Sequence, residues 1–135
     1  MRLGGRPLAP GEGRGPALVL SAPLSFWGGV DALTGRIIEA RHPQHGATVT
    51  GRVVMLPASR GSSSSSSVLA EAIRLRTAPA AIVLGEPDLI LPLGALVAAE
   101  LYGMVCPVVV ADFGQGGCPA DGQAVAVHAD GTVEW

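Results

Sequence analysis

The chain has 135 residues, 48% of them hydrophobic and 15% charged, with a formal net charge of -2; that is enough apolar material for one buried core and too much for a disordered chain. All nine cationic side chains are arginine, scattered from Arg2 to Arg76, so there is no basic stripe to neutralise nucleic-acid phosphates, and no lysine for Schiff-base, P-loop or kinase chemistry. Aromatic residues make up only 4% against 19 glycines and 11 prolines, so the core must be built from Val, Leu, Ile and Ala in short elements joined by sharp turns.

Residues 1–15 are rich in Gly, Pro and Arg and are expected to form an N-terminal arm or turn, leaving 16–135 as the folded domain. Pro16 to Ala22 reads as a short buried strand. The apolar run Ala17 to Leu20 is too short for a secretory leader, and Pro92, Glu100, Gly103 and Pro107 punctuate the longer run Leu89 to Ala111 where a membrane span would be continuous. A cytoplasmic protein without a membrane partner is the expectation.

Leu24-Ser25-Phe26-Trp27-Gly28-Gly29-Val30-Asp31 combines two large aromatics, two glycines and a carboxylate, a composition that suits a loop lining a site. Gly28 and Gly29 allow positive φ or close approach to a ligand. Asp31 either holds a proton, metal or arginine, or closes a local Asx turn before Thr34-Gly35. Arg36 to Ala40 reads as a short strand. In Arg41-His42-Pro43-Gln44-His45-Gly46, Pro43 argues against a helix that would place both histidines on one face, so the segment is a polar loop.

Gly51 to Pro57 is a buried strand. It stops at Pro57, and Ala58-Ser59-Arg60-Gly61 turns the chain into six serines, Ser62 to Ser67. A serine tract beside glycine can be a flexible spacer, but here Val68, Leu69, Ala72, Ile73 and Leu75 follow with helical spacing to about Arg76. The order is strand, glycine turn, serines, helix. The serines therefore cap a helix, and the backbone N–H groups at its positive end favour an anion such as a carboxylate or phosphate.

Ala80 to Leu84 is the next strand. A helix follows from near Pro92, with Leu93, Leu96, Val97 and Leu101 on one face and Gly103 as its stop. Val105 to Ala111 is a further strand, so strand–helix–strand–helix–strand predicts parallel crossovers. Ala124 to His128 and Thr132 to Trp135, around Asp130-Gly131, read as a hairpin closing the sheet. His128 is then structural. Cys106 and Cys118 are too few for a structural zinc site or an iron-sulfur cluster held by this chain alone; any such metal needs another chain.

Several of these stretches, in this order, resemble the small, swivel-domain subunit of aconitase X: Leu24 to Asp31, His42-Pro43, Gly51-Arg52-Val53, Arg60-Gly61-Ser62-Ser63, Ala78 to Val83 and Leu101-Tyr102-Gly103. The likeness runs from about Pro16 to Ala111. It implies an α/β fold, a swivelling β/β/α domain with parallel crossovers. It also implies a separate large catalytic subunit that holds an iron or iron-sulfur centre, and a small hydroxy-acid substrate. The family's enzymes are dehydratases: bacterial members act on cis-3-hydroxy-L-proline to give a pyrroline-2-carboxylate, archaeal ones on mevalonate 5-phosphate. The uninterrupted serine run is similar to the bacterial pattern.

Ser59-Arg60-Gly61-Ser62-Ser63 also resembles the Gly-x-Gly-Ser-Ser turn of aconitases, whose first serine is the catalytic base and falls on Ser62. Ser59 stands where those enzymes have glycine, and Ser64 where they have a substrate-binding arginine, for which Arg60 is the nearest substitute. The resemblance thus implies Ser62 as base, Ser63 and Ser64 as backbone or hydroxyl donors to the substrate, and Asp31 with Gly29 lining the cleft. Two other classes compete: a non-catalytic anion-binding or regulatory module built on the same serine loop, and a phosphohistidine carrier, which needs a histidine on a glycine loop that none of His42, His45 or His128 occupies.

Overall fold

A computed structural model describes residues 1–135. Eight strands join in one sheet: β1 (Arg2–Leu3), β2 (Arg6–Ala9), β3 (Gly13–Val19), β4 (Val53–Leu56), β5 (Ala81–Leu84), β6 (Val108–Val110), β7 (Ala124–Val127) and β8 (Val133–Glu134). Their spatial order is β1-β8-β7-β3-β4-β5-β6-β2. The central pairs β3/β4, β4/β5 and β5/β6 are parallel; β2/β6, β3/β7, β7/β8 and β1/β8 are antiparallel.

The parallel strands are apolar on both faces, as strands covered from two sides must be. Leu18, Val54, Leu56, Ile82, Leu84 and Val108 point into one core, shared with helices α2 (Ser65–Arg74) and α3 (Ile90–Tyr102). Their neighbours Ala17, Val53, Met55, Ala81, Val83 and Val109 point into a second core, which β7, β8 and Phe113 cover from the other side. Alternation along each strand therefore builds three layers, β/β/α, in agreement with the expected fold.

The first fifteen residues are a correction to the arm expected from composition. Arg2–Leu3 and Arg6–Ala9 are the two edge strands, and Gly13 to Pro16 pairs antiparallel with β7 before Ala17 to Val19 pairs parallel with β4. The glycines that suggested a loop serve close packing: a Cβ on Gly13 or Gly15 would stand 2.2 Å from the carbonyl oxygens of Ala80 and Gly51. Backbone proximity, invisible in composition, turned an apparent linker into a strand.

The C-terminal hairpin forms where expected. Gly131 has φ +95°, its N–H donates to His128 O, and Thr132 N–H donates to Asp130 Oδ1 at 2.9 Å. His128 Nε2 lies 3.0 Å from Glu134 Oε1, and Arg2 Nε lies 3.2 Å from Glu134 Oε2. The His128 hydrogen bond, with Arg2 behind it, holds the Glu134 carboxyl below its usual range. This is a sheet-edge role for His128.

Other boundaries moved by a few residues. The expected strand at Arg36 to Ala40 reduces to isolated bridges, Val30 with Ile37 and Arg36 with Thr48. The apolar face expected of α3 is turned outward, because Leu91, Gly94, Ala95 and Ala98 are the residues that pack inward. No helix is long and apolar enough to cross a membrane.

Leu84 is fully buried at the end of β5, in the core beneath both helices. Leu84→Ala is expected to lower the unfolding free energy by about 2–5 kcal/mol in a denaturant titration, since a Leu-to-Ala change deep in a core loses transfer energy and leaves a cavity.

Candidate functional site

The C-terminal ends of the parallel strands gather three loops at one edge of the sheet. The turn after β4 runs beside the segment after β3: Leu24 bridges Ser59 in parallel, Leu24 N–H donates to Ala58 O, and Arg60 N–H donates to Leu24 O. The third loop, Glu39 to Gln44, is tied in by His42. Its buried ring places Nε2 3.1 Å from Ala22 O, while Nδ1 accepts from Gln44 N–H at 3.0 Å, which puts the ring proton on Nε2. His42 is thus a loop brace with both nitrogens in use.

At the centre lies the serine turn. Gly61 has φ +100°, and a Cβ there would stand 2.3 Å from Ser25 Oγ, so this position requires glycine on both counts. Ser62 Oγ accepts from Ser64 N–H at 3.0 Å; Ser65 N–H donates to Ser62 O and Ser66 N–H to Ser63 O. α2 starts at Ser65, and Ser64 sits at its cap position without a side-chain cap bond. The serines therefore close the helix start differently from the simple caps expected. Ser62 Oγ holds the Ser64 amide from two residues upstream, and the amides of Ser62 and Ser63 donate to no protein group.

The other expected site residues divide. Arg60 lies on the turn, and its Nη2 stands 3.2 Å from Glu39 Oε1, linking the turn to the third loop. Ser63 is exposed beside Ser62, while Ser64 offers only its hydroxyl, because its amide is engaged by Ser62. The Asp31 carboxylate accepts from Leu33 N–H at 3.0 Å and from the Thr34 hydroxyl at 3.1 Å, the local turn that was one of its two readings. No hydrogen bond joins it to the serine turn. Gly29 is buried; a Cβ there would stand 3.0 Å from Leu24 Cδ1, so it serves packing, while Gly28 carries the positive φ, +76°.

Two contributors, Ser65 and Gly94, were not legible in the sequence, while Trp27 belongs to the loop already read as lining a site. Ser65 is buried and accepts from Trp27 N–H at 3.0 Å, with its Oγ 3.4 Å from Ser25 Oγ. It fixes the one-turn segment α1 (Phe26–Gly29) against the start of α2. Trp27 itself is 58% exposed, at the rim of the site. Gly94 of α3 lies against the serines: a Cβ there would stand 2.4 Å from Ser66 O, so α3 packs against the backbone of the serine run. The Leu24–Asp31 loop and the run of six serines signalled this region, and nothing in the run distinguished the buried Ser65 from its neighbours.

Beside the turn is a cleft of about 300 Å³ lined by Glu39, Arg41, His42 and Arg60, with Ala22 and Pro23 as its apolar wall. It presents two guanidinium groups and one carboxylate. No cluster of three His, Cys, Asp or Glu side chains is placed to hold a metal ion, so this chain's donors do not fit an iron or iron-sulfur centre. Cys106 is buried, and burial pushes its thiol up to about 12; Cys118 is exposed and also raised by partial desolvation.

The family model described as the aconitase X swivel domain matches residues 2–135. The chain is 48% identical over 103 residues to cis-3-hydroxy-L-proline dehydratase of Pseudomonas aeruginosa, covering 76% of this chain and 18% of that protein. It is 44% identical over 93 residues to the phosphomevalonate dehydratase small subunit of Methanothermobacter thermautotrophicus, covering 69% of this chain and 71% of that one. The crystal structure of Thermococcus kodakaraensis aconitase X in its holo-form superposes with a TM-score of 0.88 at 32% identity, over 99% of this chain and 97% of that chain. The matched region is thus a small part of one relative and most of the others.

Two outcomes follow from the site geometry. Gly61→Ala should cost about 1–3 kcal/mol in thermal or chemical unfolding, because the backbone stays in a region that L-residues avoid and the new methyl meets Ser25. In the native protein at about pH 8, a thiol reagent should label Cys118 and spare Cys106 until denaturant is added. The folded state disfavours the Cys106 thiolate, so its contribution is intact below pH 9.0, the unperturbed value, and declines as pH rises toward about 12. Unfolding titrations of Cys106→Ala should lack that decline.

Proposed function

Because the chain belongs to the aconitase X swivel-domain family, we propose that it is the small subunit of a hydro-lyase whose catalytic site is completed by a large subunit. The observation that carries this reading is the placement of Ser62. Its hydroxyl sits at the start of a ten-residue helix with the Ser64 N–H directed at its oxygen. A serine hydroxyl is a poor base unless negative charge on its oxygen is stabilised. An amide donor and the positive end of a helix supply that stabilisation.

In this reading Ser62 takes the proton from the carbon next to the substrate carboxylate. The amides of Ser62 and Ser63, with the Ser63 and Ser64 hydroxyls, face the carboxylate. Arg60, held by Glu39, stands at the edge of the turn. Departure of the hydroxyl group on the neighbouring carbon completes the loss of water; this chain has no group assigned to that step, and the large subunit provides it. The iron or iron-sulfur centre implied by family resemblance would belong to the large subunit, and the complex would work in the cytoplasm. Asp31 and Gly29 line the cleft through the loop that carries Trp27.

For the substrate we propose cis-3-hydroxy-L-proline, dehydrated to a pyrroline-2-carboxylate. The 48% identity to a Pseudomonas enzyme of that name supports it. So does the mixed charge of the Glu39, Arg41 and Arg60 cleft, since an imino acid carries both a carboxylate and a cationic nitrogen. A second reading, mevalonate 5-phosphate, rests on the 44% identity to the archaeal small subunit.

The test is turnover by the reconstituted two-subunit complex on each substrate. Ser62→Ala should reduce kcat by about 10²–10⁴-fold, the usual contribution of a positioned acid or base, with the complex still assembled. Near-normal turnover would remove Ser62 from the chemistry. Dehydration by the isolated chain would remove the shared site altogether.

A further inference from the structure

Helix α3 is apolar on two sides. Leu91, Gly94, Ala95 and Ala98 pack inward, while Leu93, Leu96, Val97 and Leu101 follow one another along the opposite side, with Leu89 just before the helix, Tyr102 at its last position and Val105 beyond its end. These seven side chains are 39–84% exposed and make up most of the large apolar residues on the surface of the molecule. Glu100 is the only charged residue in the helix. A helix that is hydrophobic all round belongs in an interior, and a contiguous patch of this kind on a surface marks an interaction site.

We infer that the outer face of α3, with the groove between α2 and α3, is the docking surface for the large subunit. This rests on the small-subunit reading above and names the surface that it uses. Three observations favour that occupant. First, the groove, about 400 Å³, is lined by Ser66 and Ser67 at one end and by Leu93, Val97 and Tyr102 along its length. The apolar face is therefore continuous with the serine run, and a partner that completes the site from the serine side reaches α3 as well. Second, seven large apolar residues 39–84% exposed on and beside one helix give the apolar area on which a standard interface, ~800 Å² per partner, is built. Third, the surface is poor in charge, as interface centres are: Glu100 is the one charged residue on the outer face of α3, and Glu71, which lines the groove, is neutralised by its ion pair with Arg74.

Gly94 adds a mechanical link. Because α3 packs against the backbone of Ser66 through Gly94, a partner seated on α3 also bears on the turn that carries Ser62. Docking and the placement of the serine turn then share one element.

The test uses the chain co-expressed with its large subunit. Leu93→Glu and Leu101→Glu, alone and together, change exposed positions, so the isolated variants should keep the circular dichroism and thermal unfolding of the parent chain. Each should weaken binding to the large subunit at least tenfold by calorimetry or surface plasmon resonance, and activity should return when subunit concentration is raised. Leu33→Glu, at an exposed apolar residue on another loop, should bind normally. Unchanged affinity of the double variant in an active complex would overturn the docking surface and leave the small-subunit reading standing. Self-association of the parent chain that the double variant abolishes, with affinity for the large subunit unchanged, would assign the face to a second copy and overturn the inference. Failure of the parent chain to bind the large subunit would overturn both readings.

Discussion

The burial of β4 and β5 on both faces is the constraint on which the rest of the molecule depends. Val53, Val54, Met55, Leu56 and Ala81 to Leu84 have essentially no contact with solvent. Covering one face requires α2 and α3, and covering the other requires the β7–β8 hairpin and Phe113. With both faces occupied, polar groups can collect only at the strand ends. In parallel sheets the C-terminal edge, where strand gives way to helix, is the usual ligand position, and the serine turn is there.

That placement explains why a tract of six serines, a composition typical of spacers, is ordered. The residues of the turn meet different environments. Gly61 sets the turn, Ser62 holds the Ser64 amide, Ser65 is buried under Trp27, and Ser66 lies against Gly94. The small side chains let α1 and α3 approach the start of α2 closely, and their hydroxyls satisfy the backbone groups that such an approach would otherwise strand. This packing ties the position of Ser62 to elements well separated from it in sequence.

The outward face of α3 follows from the same economy. A domain of this size, with two helices over a sheet, has small residues at the helix–helix contact, Gly94, Ala95 and Ala98, so the larger residues of α3 face outward. In a domain that works alone those positions would be polar. Leucine and valine stand there instead, and the same helix that supports the serine turn presents this exposed apolar surface.

Sequence pattern by itself determined the parallel core and the strand–turn–serine–helix order, because apolar runs and helical spacing are local patterns that read out burial directly; the β/β/α layering was expected only from the family resemblance. The pattern also placed the closing hairpin at Asp130-Gly131, while resemblance to the aconitase turn brought Ser62 forward from the six serines. Tertiary structure decided what depends on distant backbone. It paired residues 1–15 into the sheet where Gly13 and Gly15 pass close to other strands. It gave the Asp31 carboxylate to its own turn, placed Gly29 against Leu24, and assigned Ser65 to Trp27. It turned the leucines of α3 outward. A residue pattern shows that a side chain is apolar or polar; only the packed neighbours determine which of six identical serines is buried and which face of an apolar helix is left exposed.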